Sequence, residues 1–295
     1  MKDRRPPNET ADVSMSRREF TVLSLAAGAA AVTGVNASAA AMPAEREVEV
    51  RTPDGTCDAV LVQPEGKGPW PGVLLFPDAF GLRPAMRDMA KRLSADGYVV
   101  LVTNPYYRSK KAPGIDPGFN FDNPDDRKKL QALRAPLTNE AVGRDAAAYM
   151  AFLDSQPTVN KKARAGAFGY CMGGLMTLQA AAAVPERIGA GASFHGGGLV
   201  TDQPSSVHLM VPKMRGEYLI AIAADDDASQ PDAKTKLAEA FKAAHLPAKV
   251  EVFENTRHGW CVKDMPMRDG KPLYSEAQAE RAWGELRELF KRALV

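Results

Sequence analysis

GAFGYCMGGLM, Gly166 to Met176, closes one apolar run and opens an alanine-rich one, with one of the chain's three cysteines at the join. The frame is Gly169-x-Cys171-x-Gly173-Gly174. A cysteine that merely packs needs no glycines two before it and two and three after it. A side chain carried on a sharp strand-to-helix turn does, because a Cβ at those positions would strike the neighbouring strand and helix. Such a turn holds the thiol out of the sheet. The positive N-terminal end of the following helix then faces the sulfur and favours the thiolate, the reactive form. The Met172 N–H points to the same place and suits an oxyanion. Cys171 is a candidate nucleophile.

Working outward, the same alternation continues on both sides. Upstream, EVEVRTPDGTCDAVLVQPEG (Glu47 to Gly66) alternates apolar and polar residues around Pro-Asp-Gly, the pattern of a hairpin. GVLLFPD (Gly72 to Asp78) and YVVLVTN (Tyr98 to Asn104) are nearly continuous apolar runs separated by a helical stretch from Pro84 to Asp96. Downstream come strands IGAGASFH, YLIAIAA and KVEVFE, with helices over Asn139–Asp154, Met172–Ala183, Asp232–Ala244 and Ser275–Leu294. Continuous strands alternating with helices predict a mostly parallel sheet covered on both faces, with an antiparallel hairpin at its N-terminal edge. Tyr106 to Leu137, rich in Pro, Asp, Lys and Arg, is the one long irregular segment, expected to be a functional or disordered loop.

A thiol nucleophile needs a base, and the base needs an acid to orient it, in the chain order nucleophile, acid, base. His258 in NTRHGW, just after KVEVFE, stands where the base belongs. His195 in SFHGGG follows the strand next after the nucleophile, too early for the base, and reads as a wall or supporting residue. His208 and His245 read as surface positions. The acid comes from AADDDASQP. Counting from the strand end gives Asp226 and counting back from Pro231 gives Asp227; Asp226 is the choice here.

Composition narrows the classes. The 295 residues are 45% hydrophobic and 25% charged, with 38 basic and 36 acidic residues giving a net +2, which leaves no footprint for a nucleic acid. No metal-binding spacing occurs, and neither metal nor organic cofactor is expected. The first 41 residues differ from the rest. SRREF (Ser16 to Phe20), a mild apolar run from Thr21 to Val35 and small residues at ASAAA (Ala37 to Ala41) predict a twin-arginine export signal. Cleavage after Ala39 or Ala41 would leave roughly 255 residues, a single domain over 44–295, in the periplasm or secreted, with no stable membrane insertion. The export machinery is then a partner. In an oxidising compartment three cysteines are an odd number, so at least one is free or pairs with another molecule; a Cys57–Cys261 bridge would leave Cys171 as that thiol.

With GYCMGG, ADDD and RHGW in that order, the chain resembles the dienelactone hydrolase family, α/β-hydrolases with cysteine at the position where most relatives of that fold carry serine. The similarity spans Glu47 to Leu294 and implies the α/β-hydrolase fold. It marks FPDAFGL as the loop giving a second oxyanion donor, the N–H of Ala79, and sets Asp78 where the family has a glutamate contacting the resting nucleophile. It also marks Arg108 in NPYYR as an anchor for a substrate carboxylate. The family's second such arginine falls on Val262, with Lys263 beside it. Trp260, Phe80 and Tyr106 are candidates to line the pocket. The chemistry implied is hydrolysis of a small lactone or carboxylic ester through Cys171, His258 and Asp226. The alternatives are a carboxylesterase acting on uncharged esters and a non-catalytic thiol sensor or binding protein.

Overall fold

The computed structural model describes Met1, residues 43–116 and residues 118–294. The expected export signal lies outside the described residues. The chain divides between Ala39 and Ala40 into two units, and the second carries the whole sheet.

Pro53, Asp54 and Gly55 turn β1 (Ala44–Thr52) back onto β2 (Gly55–Gln63), in register from Thr52 opposite Gly55 to Ala44 opposite Gln63. The apolar runs become β3 (Gly72–Phe76), β4 (Val99–Thr103), β5 (Ala165–Tyr170) and β6 (Ile188–Phe194), buried along their whole length. Next come β7 (Glu217–Ala223) and β8 (Ala248–Phe253). The eight strands lie in the order β1-β2-β4-β3-β5-β6-β7-β8. β2 meets β4 antiparallel, and β4 through β8 are parallel. Double burial is why these strands read as unbroken hydrophobic runs instead of alternating ones.

Alternate residues along the strands feed two cores. On one face lie α3 (Asn139–Ser155), α4 (Met172–Ala183) and α6 (Ala233–Ala243). On the other lie α1 (Pro84–Ala95) and α7 (Glu276–Ala293). A short α5 (Ala224–Ser229) caps β7. The expected three-layer architecture is present. The strand order reverses at β3, so the C-terminal ends of β3 and β5 open a crevice of the kind that receives ligands in such sheets.

One expectation is corrected, and the cysteine pairing that the sequence leaves open is answered. The segment Tyr106–Leu137 is not irregular throughout, for it holds α2 (Pro124–Arg134), started by a proline and capped by the Asn123 side chain, which accepts from the Asp125 and Asp126 N–H groups. Only Leu130 of α2 is buried, so no apolar stripe announces the helix. The three cysteines are all free. Cys57 packs in the core under α3 and α4, Cys261 in the core under α1 and α7, so the sheet stands between them. Among the described residues no helix is long and apolar enough to cross a membrane, and no three His, Cys, Asp or Glu side chains converge on a metal position.

Candidate active site

β5 ends at Tyr170 and α4 begins at Met172, leaving Cys171 alone on the turn with φ 53° and ψ −118°. A non-glycine residue held at positive φ is strained and stays so only when its surroundings fix it. The surroundings here are close-packed backbone. A Cβ on Gly173 would sit 2.0 Å from the Phe76 carbonyl oxygen, and one on Gly169 would sit 2.2 Å from the Gly173 oxygen. The Cys171 N–H donates to the Phe194 carbonyl at 3.0 Å, tying the turn to β6.

The three aspartates after β7 divide their work. Asp225 Oδ1 accepts the backbone N–H of His258 at 2.8 Å and so holds the loop after β8. Asp227 pairs with Lys234 at 2.7 Å. Asp226 takes the imidazole, with its Oδ2 2.8 Å and its Oδ1 3.1 Å from His258 Nδ1. The Cys171 side chain is the other group that acts on this ring. Burial works against the imidazolium, but the hydrogen bond to Asp226 and the nearness of the Cys171 sulfur outweigh it and raise the His258 pKa to about 10. Cys171, His258 and Asp226 thus come together in the sequence-expected order.

The loop after β3 is tightly braced. Tyr106, itself buried, donates its hydroxyl to the Ala79 carbonyl at 2.7 Å, and the Phe80 N–H donates to Asp78 Oδ1 at 2.9 Å. The N–H groups of Ala79 and Met172 donate to no protein acceptor among the described residues. Beneath His258 lies His195, fully buried at φ 40°, its ring centroid 4.8 Å from that of His258. Neither His195 nitrogen has a partner, and burial, with His258 close by, holds its pKa well below the ordinary value.

Three expected substrate contacts are corrected. Asp78 is 1% exposed, and both its oxygens are held by Arg83 at 2.8 and 2.9 Å, so it faces inward. Arg83 reaches on to Asp264 at 2.8 Å, a bridge from the β3 loop to the loop carrying His258 that the sequence did not announce. Arg108 spends its guanidinium on Asp145 and Asp54, at 2.8 and 2.6 Å, fastening α3 to the β1–β2 turn. Trp260 is fully buried between Phe253 and His195, a supporting wall with no face on a substrate. Phe80 is half-buried, in an edge-to-face cluster with Phe119 and Phe121 at 5.9 and 5.5 Å. His245 is exposed, while His208 is partly buried and hydrogen-bonded to Ser206 at 2.7 Å.

The model of the dienelactone hydrolase family matches residues 57–294. The chain belongs to the dienelactone hydrolase family. A relative from Synechocystis sp. is 26% identical over 238 residues, covering 79% of this chain and 91% of its own. The carboxymethylenebutenolidase of Pseudomonas putida is 25% identical over 217 residues, 72% of this chain and 84% of that protein. Among solved structures, a dienelactone hydrolase-like promiscuous phosphotriesterase from metagenomic libraries superposes with a TM-score of 0.71 at 23% identity, covering 86% of this chain and all of that one. That likeness is one of fold. Membership in the dienelactone hydrolase family makes the chain a hydrolase of lactones or esters, acting on a small molecule.

Proposed function

We propose that this dienelactone hydrolase family member cleaves a carboxylic ester or lactone through a Cys171–His258–Asp226 triad and a thioester intermediate. The observation that carries the reading is the placement of one imidazole between Asp226, which takes its Nδ1 at 2.8 Å, and the Cys171 side chain on the glycine-framed turn. His258 holds the proton that the thiol has given up, as an imidazolium that Asp226 at Nδ1 orients and stabilises. The sulfur attacks the carbonyl carbon. The oxygen that becomes negative is held by the free N–H groups of Met172 and Ala79, whose peptides are set in place by α4 and by Tyr106. As the tetrahedral intermediate collapses, the C–O bond breaks and the alkoxide leaves with the proton from His258. His258 then takes a proton from water, which attacks the thioester and returns the thiol. Every proton and electron pair is accounted for by the enzyme, the ester and water.

The test is turnover of a 4-nitrophenyl ester by the purified chain and its Cys171→Ala variant. The rate should fall on the order of a thousandfold or more, because the oxyanion donors alone retain little of the catalysis. A variant within tenfold of the parent would refute the triad.

A further inference from the structure

α2 and α4 face each other along a seam that is not filled. α2 turns Arg127, Leu130, Gln131 and Arg134 toward it, the i, i+3, i+4, i+7 face of a helix. α4 answers with Met172, Leu175, Met176 and Gln179 at the same spacing. Packed helices interdigitate and leave few voids larger than a water molecule. Between this pair lies an open groove of about 490 Å³. It begins at Met172, the residue after the nucleophile, and its size is that of an ordinary small-molecule pocket.

The lining is apolar apart from Arg127, Gln131, Arg134 and Gln179. Gln179 is 3% exposed and its Oε1 accepts no hydrogen bond. Its orientation is fixed from outside: Asn139 Nδ2 donates to the Ser205 carbonyl at 2.7 Å, which turns Asn139 Oδ1 toward Gln179 Nε2 at 2.5 Å and leaves Gln179 Oε1 unpaired. A buried acceptor in that state calls for a donor from a ligand or water. The Arg134 guanidinium enters no hydrogen bond or ion pair among the described residues, and that of Arg127 donates only to the Phe121 carbonyl at 2.7 Å. Arg134 also lies near the catalytic end. Burial raises the pKa of Tyr106, whose hydroxyl holds the Ala79 carbonyl, and the charge of Arg134 opposes that rise. Meanwhile Arg108 is consumed by Asp54 and Asp145, and Val262 is fully buried, so neither position marked by the family resemblance offers the substrate a cation.

We infer that the α2–α4 groove receives one arm of the substrate, that Arg134 with Arg127 binds a carboxylate on that arm, and that Gln179 Oε1 accepts from a hydroxyl on it. This rests on the ester-hydrolase reading, since the groove opens beside the oxyanion donor. It moves acid recognition from the core side of the site to a helix with a single buried residue, and it names a hydroxy-acid ester as the substrate class.

The experiment compares 4-nitrophenyl hydrogen suberate with 4-nitrophenyl methyl suberate, which differ only in the terminal charge, on the parent chain and Arg134→Gln. The ratio of their kcat/KM values should fall about tenfold or more in the variant, the loss expected for a charge-assisted pair. An unchanged ratio overturns the assignment. Calorimetry of suberate with Cys171→Ala and with Cys171→Ala/Arg134→Gln separates this from failure of the hydrolase reading. If the parent cleaves neither ester, binding that weakens with Arg134→Gln still supports the pocket, and binding that is absent or unaltered overturns it. For Gln179, 3-hydroxysuberate should bind Cys171→Ala more tightly than suberate does, and Cys171→Ala/Gln179→Leu should lose that gain. A gain missing from the first protein or surviving in the second refutes the acceptor role.

Discussion

His258 links the charge state of the site to the stability of the molecule. Its pKa is raised in the folded chain, so the stabilisation it supplies is complete below the unfolded value near 6.5 and is lost as pH rises through about 10. Asp226 supplies much of that rise, while Asp227 only meets Lys234 near the surface. Asp226→Asn should therefore lower the melting temperature at pH 6 and converge on the parent above pH 10, with activity reduced about a hundredfold or more. Asp227→Asn should stay close to the parent in both, because surface pairs contribute about 0–1 kcal/mol. Melting curves across pH together with ester turnover check this, and the reverse ranking would return the acid's role to Asp227. At this scale the sequence was informative where chemistry is local. Cys171 shows through its glycine frame, and His258 and Asp226 show through their places after strands. Arg108 misled because its partners, Asp54 and Asp145, lie 54 and 37 residues away, at distances in sequence where nothing announces a contact.

The turn between β5 and α4 is the element on which the site depends, and its glycines differ from Gly284 in α7. At Gly173 a Cβ would meet the Phe76 oxygen at 2.0 Å and the Pro77 oxygen at 2.5 Å, both backbone atoms with nowhere to go. Gly284, inside α7, has open space around the same point. Gly173→Ala should cost more than about 3 kcal/mol or prevent folding. Gly284→Ala should stabilise by about 0.5–1 kcal/mol, by removing a flexible residue from a helix interior. Urea unfolding of the two variants decides it, and equal effects would mean that α4 does not press against β3 as described. The strands and amphipathic helices were legible through continuous apolar runs and helical periodicity. α2 was not, since a polar helix with one buried leucine has the composition of a loop.

Across the whole molecule, one sheet separates two cores and gives each cysteine a different setting. Cys57, hydrogen-bonded by Tyr149 at 3.3 Å, has its pKa pushed up to about 12 by burial, and burial raises that of Cys261 as well. Both stay protonated at neutral pH, and a protonated thiol is a poor nucleophile. Which core each would enter could not be read in advance. That depends on strand parity through the sheet for Cys57 and on the path of the His258 loop for Cys261. Only Cys171 has an imidazole partner and stands at the crevice. The direct test is to mix the full chain with excess 4-nitrophenyl acetate, quench in acid within the first turnovers and map acetyl groups by peptide mass spectrometry. The account requires one acetyl group on the peptide bearing Cys171 and none on those bearing Cys57 or Cys261. Acetyl on any other residue while ester is being consumed, with Cys171 unmodified, would contradict it.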